Sequence, residues 1–133
     1  MGKRSIYITS KPWGTEEMWA STHHSVGKLL HINKRQRLSR KYHRIKSHTV
    51  RILEGILTIE VGPLVEGGEV EVVSLFPGEA YYIPARTIHR FCAGPDDVLL
   101  LELSPSGPSD SVRLEDDYRR VTDIPQPGPQ SDK

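Results

Sequence analysis

Three histidines, His43, His48 and His89, are the side chains of this 133-residue chain best suited to hold a metal ion. Imidazole nitrogens bind borderline ions such as zinc, nickel, iron and copper. Taken singly, each is more commonly a surface or packing residue than a ligand. Their spacing sets a geometric condition. Residues of one strand share a face only at even separation. His43 and His48 are five apart, so one regular strand would turn them to opposite faces. A turn at residues 44–47 removes the conflict and lets two neighbouring strands present both rings to one interior. His89 then comes from a third strand, after the corner at Pro84.

Four further side chains are candidates for chemistry near such a site. Lys41 precedes His43 by two residues, and a buried Lys can act as a base or bind a carbonyl oxygen. The plainer alternative is a surface Lys at the rim. Tyr82 offers a catalytic phenol, with a core Tyr as the alternative. His31, within Leu29-Leu30-His31-Ile32, either lines a substrate pocket or packs in the core. Arg86 is a candidate for binding substrate, since Arg recognises carboxylate and phosphate.

The elements that must position these residues read as strands. Short apolar runs recur between Gly, Pro and polar clusters. Candidate strands are 5–9, 16–21, 28–33, 37–43, 48–53, 56–61, 69–75, 80–83, 89–92 and 98–104. In the sixth, alternation puts Leu57, Ile59 and Val61 on one face and Thr58 and Glu60 on the other. Glu54-Gly55 predicts a tight turn, and Pro77-Gly78 and Gly67-Gly68 predict further reversals. No stretch longer than about eight residues keeps a helical apolar period. Many short, evenly spaced strands predict a sandwich or barrel. Length predicts one domain, placed at residues 1–122. Residues 123–133 are rich in Pro and are expected to be disordered.

Charge is unevenly placed. Met18 to Leu53 holds nine Lys or Arg and no acidic residue, while the remainder holds nine basic and 17 acidic residues. Residues 34–41 are the densest part and read as a solvated basic turn or as a capture site for an anion. They lack the interleaved aromatics and the helix that nucleic-acid binding needs, so no nucleic-acid partner is expected. One cysteine, Cys92, excludes an internal disulfide framework. No apolar run approaches the roughly 20 residues of a membrane span, and the N-terminal residues lack an apolar leader core. A cytoplasmic protein with no membrane partner is the expectation.

Two segments carry a resemblance to a known family. One is Lys41-Tyr42-His43-Arg44-Ile45-Lys46-Ser47-His48 with Gly55 beyond it. The other runs from Gly78-Glu79-Ala80-Tyr81-Tyr82-Ile83-Pro84 to His89. Together they resemble the two-part His signature of the cupins. Lys11-Pro12-Trp13-Gly14-Thr15-Glu16-Glu17, Gly27-Lys28-Leu29-Leu30-His31-Ile32 and Val112-Arg113-Leu114-Glu115-Asp116-Asp117-Tyr118 are similar to the type II mannose-6-phosphate isomerase-like branch. The resemblance spans about residues 11–121. It implies a double-stranded β-helix, the cupin or jelly-roll barrel, with its conserved-type part at about residues 26–104. It also implies metal ligands at His43, His48 and His89, and a homodimer.

The chain departs from that pattern at four places. Relatives usually carry Gln, or a His, where Lys41 stands, and a protonated Lys cannot ligate. They usually carry Glu at the place of His48, where imidazole can substitute as a neutral ligand. They usually carry Gly at the place of Arg86, and a positive φ there would strain Arg. Ala93 stands where an Asn is frequent. The expected function is a metal-dependent Lewis-acid isomerase, lyase or cyclase acting on a small, polar, carbonyl-bearing and anionic substrate. Two alternatives stand beside it: a three-His non-haem iron dioxygenase and a non-catalytic ligand-binding cupin. The expected cofactor is one divalent ion, zinc first, with iron, nickel or manganese as alternatives.

Overall fold

A computed structural model describes residues 2–120. The region 123–133, expected to be disordered, lies outside the described residues. Eleven strands make up the regular structure, and no helix occurs among the described residues. They are β1 (Tyr7–Lys11), β2 (Gly14–Ser21), β3 (Ser25–Ile32), β4 (Arg40–His43), β5 (His48–Glu54), β6 (Leu57–Pro63), β7 (Glu71–Leu75), β8 (Ala80–Ile83), β9 (Thr87–Ala93), β10 (Val98–Pro105) and β11 (Ser111–Glu115). They form a six-stranded sheet in the order β1-β2-β3-β10-β5-β8 and a five-stranded sheet in the order β11-β4-β9-β6-β7. Every pairing is antiparallel. This is the all-β jelly-roll barrel of the cupin type. Among the described residues no helix is long and apolar enough to cross a membrane.

Alternation builds the core between the two sheets. Leu57, Ile59 and Val61 of β6 are buried, as their period predicts. Leu30 and Ile32 of β3, Val50 and Ile52 of β5, and Leu100 of β10 face them from the other sheet. Full burial of one such side chain contributes about 1.5–3 kcal/mol. The predicted turn at Glu54-Gly55 forms with Gly55 at φ 77°. A Cβ there would lie 2.2 Å from the Asp97 carbonyl oxygen, so the backbone of residue 97 fits only glycine.

Several strand expectations are corrected. The stretch 37–43 is a strand only from Arg40, because a turn with Arg35 at φ 63° leaves Arg37 in one isolated bridge to Cys92. The first strand starts two residues later than expected, where pairing with β2 sets the register Tyr7 to Met18. β11 was not foreseen: Val112 and Leu114 are its only aliphatic residues, and pairing with β4 makes it a strand.

Candidate functional site

β4 ends at His43 and β5 begins at His48, so residues 44–47 form the turn that the odd spacing demands. Asp110 builds that turn. Its Oδ2 accepts hydrogen bonds from the backbone N–H of Ile45 and Lys46, both at 2.7 Å. Its Oδ1 lies 3.0 Å from His43 Nδ1. Burial alone would push the Asp110 carboxyl up, but the hydrogen bonds from His43, Lys46 and Ile45 outweigh it and hold the group well below the ordinary carboxylate range.

The three histidines converge. His43 is 3% exposed, His48 5% and His89 3%. Ring centroids are 4.0 Å apart for His43 and His48 and 5.5 Å apart for His43 and His89. Nitrogens bound at about 2.1 Å to one shared ion would place ring centres roughly 5 Å apart, and the two spacings bracket that value. As the side chains stand, no group of three or more His, Cys, Asp or Glu among the described residues is placed to hold a metal ion.

Each ring has its Nδ1 near an acceptor, hydrogen-bonded in His43 and His89 but not in His48. His43 Nδ1 faces Asp110. His89 Nδ1 donates to the Thr87 carbonyl at 2.9 Å. His48 Nδ1 lies 3.5 Å from Glu102 Oε2, an ion-pair distance. An Nδ1 bonded to an acceptor directs metal ligation to Nε2 in general. His43 and His48 line a small cleft with Lys28, Lys46, Ser104 and Asp110. Its volume is about 20 Å³, room for about one water.

The other sequence candidates separate. Lys41 is 2% exposed, so it is not a rim lysine. It shares the inner face of β4 with His43. Tyr82 is 59% exposed and lies outside the pocket. The β8 alternation turns Ile83 inward and Tyr82 out, while Tyr81 packs partly on the core. His31 also faces outward, half exposed, with Nε2 2.8 Å from Asp97 Oδ2. The hydrogen bond from His31, with one from the Lys34 N–H, holds the Asp97 carboxyl below its usual value. The Arg86 side chain is exposed, and Arg86 does adopt φ 63°. Its contribution here is made by its backbone, whose N–H donates to the His43 carbonyl at 2.7 Å.

Two arginines of the basic stretch 34–41 form internal pairs. Arg37 makes a two-pronged contact with Asp117 at 2.6 and 2.9 Å. Arg40 reaches Glu60 at 3.3 Å and Glu115 at 3.2 Å. Two site residues escaped the sequence reading, Glu102 and Asp110. Glu102 carried a signal, because alternation in Leu100-Leu101-Glu102-Leu103 puts a carboxylate on the Leu100 face. Asp110 stands in a loop, and nothing in its neighbours marks it.

No protein-family model and no curated protein matches the chain. Solved structures do. KdgF from a Halomonas species matches with a TM-score of 0.63 at 20% identity, over 77% of this chain and 87% of that one. The capsular polysaccharide assembling protein CapF from Staphylococcus aureus matches with a TM-score of 0.75 at 14% identity, over 85% of this chain. An oxalate decarboxylase matches with a TM-score of 0.66 at 11% identity, over 77% of this chain. This chain spans 33% of the CapF chain and 28% of the oxalate decarboxylase chain. These likenesses, the two antiparallel sheets and the paired His motifs give the chain the fold of the cupin superfamily.

Proposed function

We propose that this protein is a metal-dependent cupin enzyme that isomerises, eliminates from or cyclises a small, carbonyl-bearing substrate. One observation carries the reading: His43, His48 and His89 are buried together, with ring centroids 4.0 and 5.5 Å apart, and each has its Nδ1 near a different acceptor. A divalent ion held there, zinc first, would supply Lewis acidity toward a carbonyl oxygen. The residues of the chain do the rest. Asp110 and Thr87 fix two of the rings. An anionic substrate belongs to the same reading, and Lys28 and Lys46 line the one-water cleft beside His43 and His48 together with Asp110. Lys41, buried beside the triad, is the candidate for binding a carbonyl oxygen or moving a proton. The likeness to a capsular polysaccharide assembling protein and the mannose-6-phosphate isomerase-like motifs favour a sugar-like substrate.

The assembly belongs to the same reading. A homodimer paired through β1 accounts for an edge strand that exposes Tyr7 and Ile8. A lone free cysteine, Cys92, suits a reducing cytoplasmic setting.

Elemental analysis of protein purified without an affinity tag tests the proposal. One zinc per chain is the expected result, lost in His48→Ala and kept in His48→Glu. Bound iron with oxygen consumption would move the assignment to a dioxygenase. Absence of bound metal would move it to a ligand-binding cupin.

A further inference from the structure

Four ionisable side chains cross the inner face of the six-stranded sheet in a row. Glu16 on β2, Lys28 on β3, Glu102 on β10 and His48 on β5 belong to four strands that are consecutive in that sheet. Each is at most 5% exposed. Lys28 Nζ lies 3.7 Å from Glu16 Oε1. Glu102 stands directly opposite Lys28 in the strand register. Glu102 Oε2 is 3.5 Å from His48 Nδ1. Next to the row, Leu30, Leu100 and Val50 continue the same face as apolar core.

Burying ions costs several kcal/mol each, and well-packed apolar replacements are frequently as stable or more so. Fold stability therefore does not account for the row. Its position does, because it ends on one of the three converging rings. We propose that Glu102 is a positioning residue. Its carboxylate biases the neutral His48 ring to the tautomer with the proton on Nδ1 and turns the Nε2 lone pair toward His43 and His89. At 3.5 Å the action is electrostatic and not a formed hydrogen bond, and the low-dielectric interior strengthens it. Lys28, paired with Glu16, offsets one of the two carboxylates of the row. The inference rests on the metal reading above, but it makes a claim about the ring itself.

Long-range proton–nitrogen NMR on metal-free protein with ¹⁵N-labelled histidine tests it. Free neutral imidazole in histidine prefers the proton on Nε2, so the field of Glu102 must reverse that preference. The expected result is a predominantly Nδ1–H His48 at a pH where the ring is neutral. In Glu102→Gln that excess should fall several-fold. Zinc affinity, read by competition with a chromophoric chelator, should weaken about 10–100-fold in the same variant. Finding His48 mainly Nε2–H in the wild-type protein would overturn the proposal, and that measurement needs no variant to fold. An unchanged tautomer ratio in folded Glu102→Gln would overturn it as well. If the tautomer result holds while the wild-type protein takes up no zinc, iron, nickel or manganese, the metal reading fails and the positioning role stands.

Discussion

Lys41 on β4 sits directly across from His89 on β9, and both side chains are at most 3% exposed. Opposed residues of an antiparallel pair have Cβ atoms about 4.5–5.5 Å apart. This register therefore puts a lysine beside the three histidines.

The first prediction follows from that pair. Lys41→Gln replaces an ammonium with a neutral oxygen donor. Metal affinity should hold or rise, read by chelator competition. Turnover of the native substrate should fall by about 10²–10⁴-fold, the usual contribution of a placed proton-transfer group. Unchanged turnover would remove Lys41 from the chemistry.

Gly55→Ala should destabilise the barrel by about 2–4 kcal/mol in urea unfolding. The added methyl would meet the Asp97 carbonyl oxygen at 2.2 Å, at a residue held at φ 77°. That carbonyl is backbone and has no rotamer by which to give way. A loss below about 0.5 kcal/mol, within the range of an ordinary surface change, would show that the turn can rearrange.

Asp116 predicts part of the acid sensitivity. Burial raises its pKa, but hydrogen bonds from the Arg120 side chain and backbone N–H win and lower it to about 2. A carboxyl whose folded pKa is depressed adds stability above its unfolded pKa, about 3.9. That stability is lost as pH falls toward 2. Asp116→Asn should cost about 1–2 kcal/mol at pH 7 and almost nothing near pH 2. Equal destabilisation at both pH values, in thermal melts, would assign the effect to packing.

The dimer prediction concerns β1. Ile6, Tyr7 and Ile8 are 56%, 66% and 65% exposed, and β1 is an edge strand with no charge before Lys11. Ile8→Lys should convert a dimer to a monomer in light scattering at micromolar concentration. Val65→Lys, at an equally exposed residue in the loop after β6, should not. A wild-type particle of 15.0 kDa would contradict the dimer outright.

Much of this molecule was legible along the chain. Alternation in 57–61 marked a half-buried strand, and Glu54-Gly55 marked its turn, because both depend on neighbours in sequence. The odd spacing of His43 and His48 demanded a turn, since strand parity is a local rule. What the sequence left open were facts of pairing between distant strands. Whether Lys41 is rim or interior depends on β9 lying opposite it. Tyr82 and His31 fell outside the pocket because their faces are decided by which neighbours, Ile83 and Leu30, the core buries. Asp110 and Glu102 are 67 and 54 residues from the rings they face. Only the closed barrel brings those carboxylates to the histidines, because through-space electrostatics acts over ångströms and has no period in sequence.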